Sequence, residues 1–296
     1  MHHNLQVFIW DVGHGLSVSI FTPDVVMSPV ELRRRWIQFD ANNNTETNFS
    51  PIAHIYDRGF RTMDYLIISH PDQDHIGDLP ALQYLRESDY DKLRLRILSR
   101  NRTLPSGAIS ENPENEVQAK TDYRKLDTEY IYPNILDIDQ LTAVNFGGVV
   151  ANSAYNDYSE EFEINDCSLL YSIEFDNLFL VLPGDMTSYG FTKLVEENKI
   201  ATPSDSQNVI LIAPHHGSET VEAEAFLQFY KPKIVLASAG NQDTNSDQIY
   251  SSNLVQGYPV VGEPNLRKYL TTKHNNAILI DITPGSPPVI SLIPHD

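Results

Sequence analysis

The chain has 296 residues, 41% of them hydrophobic, which is enough for one large domain or two ordinary ones with a sizeable core. With 40 acidic residues against 21 basic, the formal net charge is -19. That balance argues against an unspecific grip on long DNA, where affinity comes mainly from phosphate neutralisation.

No apolar run approaches the roughly 20 residues needed to cross a bilayer, so no membrane attachment is expected. The start, Met1–Val7, enters a strand-like pattern at once and lacks the basic region of a signal peptide. A single cysteine, Cys167, excludes an intramolecular disulfide. Together these make the cytoplasm the expected compartment.

In chain order, Leu5–Trp10 and Leu16–Phe21 predict two strands joined by the turn Asp11-Val12-Gly13-His14-Gly15. Trp36–Phe39 predicts a third, ending at Asp40, and Tyr65–Ile68 a fourth. A helix beginning near Ile76 carries Leu79, Leu82 and Leu85 at helical spacing. Leu93–Leu98 is a further strand. From about Arg100 to Glu163 no periodicity holds, which predicts an irregular insertion or cap. Its Arg124 and Lys125, with Tyr123, Tyr130 and Tyr132, read as the surface of a small lobe. Strands resume at Ser168–Phe175 and Leu178–Leu182, followed by a helix over Ser188–Glu197. A strand at Val209–Ala213, a helix at Glu222–Phe229, and strands at Ile234–Ala237, Ala277–Ile282 and Val289–Leu292 complete the pattern. Short strands alternating with helices in two successive halves predict an α/β fold, one domain over 1–296 with its insertion at about 100–163.

The chemistry gathers where apolar strands end. Ile67-Ile68-Ser69-His70 runs into His70-Pro71-Asp72-Gln73-Asp74-His75, which places four metal-capable side chains within six residues. Leu182-Pro183-Gly184-Asp185 and Ile212-Ala213-Pro214-His215-His216 end in the same way. Two imidazoles and two carboxylates at one turn can hold a pair of divalent cations, a common means of hydrolysing phosphoesters. Helix capping alone would use one or two of the aspartates and leave both histidines without a role. Glycines beside Asp185 and His216 permit tight turns and close backbone approach.

With these pieces, the sequence resembles the metallo-β-lactamase superfamily, and most closely the branch of the C-terminal hydrolase domain of ComEC-type DNA-uptake proteins. The matching segments are D-V-G-H-G at Asp11–Gly15, Asp40, H-P-D-Q-D-H-I-G-D at His70–Asp78, N-D-C-S-L at Asn165–Leu169, P-G-D at Pro183–Asp185 and P-H-H-G-S at Pro214–Ser218. The resemblance implies an αββα sandwich with metals between the sheet edges. By position, His70 and Asp72 bind one ion, Asp74 and His75 the other, Asp185 bridges, and His215 completes the second site. His216 faces the substrate phosphate or exchanges roles with His215. Asp40, Asn165 and Asp11 fall outside the ligand set, with Asp40 placed to orient a ligand histidine.

Asp72, and Asn165 or Asp166, stand where many relatives have histidine. An oxygen-rich set of this kind suits Mn²⁺, with Zn²⁺ and Mg²⁺ also accommodated. The implied chemistry is two-metal phosphodiester or phosphoester hydrolysis, with Asp74 aiming water and His216 or His14 protonating the leaving oxygen. A nuclease acting on ends or short single strands is the first reading, with nucleic acid or nucleotide as substrate and a partner protein able to supply binding surface. The closest alternative is a phosphodiesterase of small cyclic or linear nucleotides. A regulatory or interaction module with a decayed site is a different class, and the six intact ligand positions argue against it. Arg33–Arg35, or Arg94, Arg96, Arg100 and Arg102, are the candidates for a basic strip beside the cleft. His54, His274 and His295 read as surface residues.

Overall fold

The structure is a computed structural model that describes residues 2–28, 31–104, 118–130, 148–217, 220–238, 249–272 and 276–294. One mixed sheet has the order β15-β14-β1-β2-β5-β6-β7. Its strands are β1 (Leu5–Ile9), β2 (Ser17–Phe21), β5 (Trp36–Ala41), β6 (Thr62–Ile68), β7 (Arg94–Arg100), β14 (Asn276–Ile282) and β15 (Val289–Pro294). The second sheet has the order β13-β12-β11-β10-β9-β8. It comprises β8 (Val150–Ala154), β9 (Leu170–Phe175), β10 (Leu178–Leu182), β11 (Asn208–Ile212), β12 (Ile234–Ala237) and β13 (Tyr269–Thr271). A small hairpin, β3 (Val25–Ser28) and β4 (Glu31–Arg33), stands apart from both.

Strand alternation explains the layering. In β10, Leu178, Leu180 and Leu182 face the other sheet and join a central core with Val7, Ile9, Phe39 and Ile67. Phe179 and Val181 face outward, onto Phe191 and Leu194 of α5 (Ser188–Glu196) and Phe226 and Leu227 of α6 (Thr220–Tyr230). Burial on both faces is why this strand reads as an unbroken apolar run. The outer face of the first sheet buries Trp36, Leu66 and Ile68. They pack against α1 (Pro51–Asp57), α3 (Leu79–Glu87) and α4 (Gln118–Glu129), through Ile52, Leu82 and Leu126 among others. The result is the αββα sandwich. None of its described helices is long and apolar enough to cross a membrane.

Three local expectations change. The helix near Ile76 is two elements, α2 (Gln73–Ile76) and α3, with Pro80 in the first turn of α3. A proline lacks the N–H that a continuous helix would need there, but suits a helix start. Two regular elements lie within the span expected to be irregular. These are α4, with Ala119, Tyr123 and Leu126 buried, and β8, an edge strand paired with β9. Tyr132 lies outside the described residues, as do His274 and His295. His54 is half-buried, edge-on to the Trp10 and Phe49 rings at 5.2 and 5.3 Å, so it belongs to an aromatic cluster rather than to open surface.

Candidate metal centre

β5 and β6 run parallel, as do β10 and β11, so each pair delivers its C-terminal ends to one edge. One backbone hydrogen bond ties the two edges together and a second closes the edge of the β10–β11 pair. Leu169 N donates to Ser69 O (2.9 Å), and His215 N donates to Gly184 O (3.1 Å). Gly184 is required at this seam, because its φ is +58° and a Cβ there would lie 2.6 Å from Ser69 Cβ.

Asp74, His75, Asp185 and His216 converge there, with ligand-capable atoms all within 4.8 Å of one another. His75 Nε2 lies 3.1 Å from Asp185 Oδ1, and His216 Nε2 lies 3.2 Å from Asp74 Oδ2 and 3.5 Å from Asp185 Oδ1. A second group forms on the other oxygen of Asp185. His70 Nε2 is 3.8 Å and His215 Nε2 3.7 Å from Oδ2, while Asp72 Oδ2 is 3.4 Å from His70 Nε2. Asp185 therefore stands between both groups. His216, rather than His215, joins Asp74 and His75. His215, His216 and Gly217 have φ of 49°, 55° and 81°, which turns the two imidazoles to different sides of Asp185.

Asp72 precedes α2 without capping it through its side chain. Asp78 does not cap α3 through its side chain either; its Oδ2 accepts from Ile52 N (3.0 Å) in the first turn of α1, which Ser50 caps.

Behind the ligand-capable atoms lies a buried hydrogen-bonded layer. Asp40 Oδ1 accepts from Ser69 N (2.7 Å) and its Oδ2 from Ser69 Oγ (2.8 Å). Ser69 Oγ lies 3.1 Å from His70 Nδ1, and Ser168 Oγ lies 3.3 Å from the same atom. Asn165 sits in a 3-10 turn, Asn165–Cys167, and the hydroxyl reaching His70 from this segment is that of Ser168. Asp11 Oδ1 accepts from Gly13 N (3.2 Å), shaping the turn that carries His14. His14 is 53% exposed, and its Nε2 lies 3.3 Å from Asp74 Oδ2.

Ser69 and Ser168 stood inside the quoted motifs without a role assigned to them, and Asn42 had no signal in the sequence. The Asn42 amide is clamped between two glycines. A Cβ on Gly15 would lie 2.2 Å from its Nδ2, and one on Gly77 2.2 Å from its Oδ1. Asn42 Nδ2 donates to His14 O (2.6 Å), and Leu16 N to Asp74 O (3.1 Å), so the His14 turn is laced to the helix carrying Asp74.

The electrostatics suit a cation. Burial disfavours a charged His75, but the Asp185 and Asp40 carboxylates outweigh it and raise the imidazole well above its ordinary value. Burial likewise opposes charge on Asp185, and His75 and His216 hold it well below the carboxylate range. His216 is pushed down by burial, despite Asp185 and Asp74. His70 Nε2, His75 Nε2, His216 Nδ1 and Asp185 Oδ1 are buried atoms without a hydrogen-bond partner among the described residues. Buried polar atoms are ordinarily paired. Three of the four, His70 Nε2, His75 Nε2 and Asp185 Oδ1, face the cluster, which His216 meets through Nε2, and with a carboxylate excess around them they fit divalent cations.

The fold is a metallo-β-lactamase-like sandwich whose mouth carries a His/Asp cluster able to bind metal. No protein-family model matches the chain. It is 26% identical over 186 residues to ComE operon protein 3 of Bacillus subtilis (strain 168), covering 63% of this chain and 21% of that protein. It is 22% identical over 241 residues to Competence protein ComA of Neisseria gonorrhoeae, covering 79% of this chain and 27% of that protein. The aligned segment is thus about a fifth to a quarter of each relative's length, and both support the ComEC-type resemblance. A solved structure described as a new diphosphatase from the PhnP family aligns over 96% of this chain and 100% of its own. At 10% identity and a TM-score of 0.42, that likeness is too distant to weigh in reading the site.

Proposed function

We propose that this chain is a two-metal phosphodiester or phosphoester hydrolase, acting as a nuclease on ends or short single strands. The observation that carries this reading is Asp185, set between a His70/Asp72/His215 group on one oxygen and a His75/His216/Asp74 group on the other. Those residues would hold two ions, Mn²⁺ or Zn²⁺ by their mixed oxygen and nitrogen donors, with Mg²⁺ also accommodated. When bound, such ions make water nucleophilic near neutral pH and neutralise phosphate oxygens. Ser69 and Ser168 fix the His70 ring, and Asp40 fixes His75, so both imidazoles keep one orientation. His14, exposed at the mouth with its Nε2 3.3 Å from Asp74 Oδ2, is placed to protonate the leaving oxygen.

One feature favours the small-nucleotide reading as a second choice. Arg33 pairs with both oxygens of Asp64 (2.7 and 2.8 Å), and Arg96 lies 3.8 Å from the same carboxylate, near the start of β6. At about 3.3 Å per residue, that cluster stands about 20 Å from His70. Arg34 bonds Gln6, and Arg100 pairs with Asp127. Arg33 and Arg96 thus stand away from the cleft, and Arg100, level with Ile68 at the cleft edge, is neutralised by Asp127.

The test crosses Mn²⁺, Zn²⁺ and Mg²⁺ with bis-p-nitrophenyl phosphate, single- and double-stranded DNA, RNA and cyclic nucleotides. Metal-dependent cleavage that Asp185→Asn abolishes is expected. No diester cleavage under any metal would end the hydrolase reading. A DNA titration across salt, with Ca²⁺ present, separates the two substrate classes. Weak binding with a shallow slope, alongside rapid cyclic-nucleotide cleavage, selects the small substrate.

A further inference from the structure

A cavity of about 700 Å³ opens beside the cluster and shares His14 and Asp74 with it. That volume lies within the ~300–1,000 Å³ typical of small-molecule sites. Amides line it: Asn42 and Asn43 after β5, Gln73 of α2 and Gln118 of α4, with Pro80 and Ala119 as apolar contact. No Lys or Arg lines it among the described residues, and its charges are the carboxylates of Glu46 and Asp74. A phosphate would be repelled there, whereas an uncharged ring with hydrogen-bonding edges would not.

The amides are not equivalent. Asn42 is committed to His14 O, and Gln118 Nε2 donates to Asp122 Oδ1 (3.0 Å). Asn43 and Gln73 have no side-chain partner among the described residues. A primary amide presents a donor and an acceptor side by side, the pattern that complements the edge of a nucleobase. We infer that this cavity seats the base of a nucleotide substrate whose phosphorus lies at the cluster, with Asn43 and Gln73 reading the base edge. The inference rests on the phosphodiesterase reading and names the part of the substrate that reading leaves open. It also gives the acidic chain a source of affinity that does not depend on phosphate neutralisation.

Two measurements test it. Metal-free protein in chelator is titrated calorimetrically with adenosine, guanosine, cytidine and thymidine, none of which carries a phosphate. At least one should bind, with affinity falling about 5-fold or more in Asn43→Ala and in Gln73→Ala, the low end for an amide–base contact. In the second measurement, the ratio of kcat/KM for a thymidine 5′-p-nitrophenyl diester to that for bis-p-nitrophenyl phosphate should fall by a similar factor in the variants. The fall should come through KM. Gln73 is exposed on α2, so Gln73→Ala serves if Asn43→Ala does not fold. No nucleoside binding to the wild type, or equal losses on both diesters, would overturn the base site. Cleavage of neither diester by a wild type that binds nucleosides would instead sink the hydrolase reading.

Discussion

Asp40 Oδ2 lies 2.8 Å from Nδ1 of His75, with both side chains fully buried. The contact leaves His75 Nε2 facing Asp185, so a residue 35 positions earlier decides which nitrogen the cluster receives. Asp40 has φ of 51°, a region that asparagine tolerates, so Asp40→Asn changes charge without disturbing the backbone of β5 there. It should weaken metal binding about 10- to 100-fold, the usual cost of losing a partner behind a metal-binding imidazole. Competition against a chromogenic chelator measures this, and wild-type affinity in the variant would show that Asp40 does not position His75.

Asp185 faces both groups, so its loss should be felt by both ions. Asp185→Asn should lose most of the bound metal and at least about 100-fold in activity, beyond the effect of an outer partner. Metal added to stripped wild type should raise its Tm, by about 2.7 kcal/mol of stabilisation at 100 times Kd, since the cations relieve repulsion among Asp72, Asp74 and Asp185. The variant should gain much less. Full metal content by elemental analysis would remove the two-ion arrangement.

Gly77 has ordinary helical φ, so only space forbids a side chain there. Gly77→Ala should cost about 1–3 kcal/mol, as overpacking does. Asn42→Ala should cost about 0.5–1.5 kcal/mol through its lost bond to His14 O. The double variant should be more stable than the sum of the two losses, because removing the amide relieves the tightest contact and leaves only Asn43 Oδ1, at 2.9 Å, and Gln73 O, at 3.3 Å, to give way. Urea denaturation of the four proteins gives the coupling, and simple additivity would show that the clamp is not tight.

Asp78 carries a pH signature away from the cluster. Burial pushes its carboxyl up to about 7, against the opposing pull of Ser50 and the Ile52 N–H. Below the unfolded value near 4, both states are protonated and nothing is lost. Between about 4 and 7 the unfolded chain releases a proton that the folded chain keeps, so stability falls as pH rises, by at most about 4 kcal/mol. Asp78→Asn keeps an acceptor for Ile52 N and removes that dependence. Its stability relative to wild type, measured with chelator present, should grow between pH 5 and pH 8. A constant difference would place the titration elsewhere.

The strands that carry the chemistry were legible because each is an apolar run stopped by Asp or His, and an unbroken run signals burial on two faces. α4 was not, because among its 12 residues the buried set of Ala119, Asp122, Tyr123 and Leu126 is diluted by charge. β13 has three residues and gains its identity only by pairing with β12. Of the site, the four-residue group around Asp185 lay in visible motifs. Ser69 and Ser168 lay inside those motifs with nothing to mark their roles, and Asn42 lay outside them, since Ser168 and Asn42 act on partners distant in sequence. Which of His215 and His216 meets Asp74 depends on backbone dihedrals, which composition and spacing do not encode.

The run of positive φ through His215, His216 and Gly217 sets stability against activity at one place. Glycine adopts that backbone freely, whereas each histidine gives up roughly 1–2 kcal/mol there. A lineage selected for heat resistance alone would drift toward glycine or asparagine at 215 and 216. It would gain a tougher protein and lose both imidazoles, so persistence of this histidine pair among close homologues would itself record selection for catalysis.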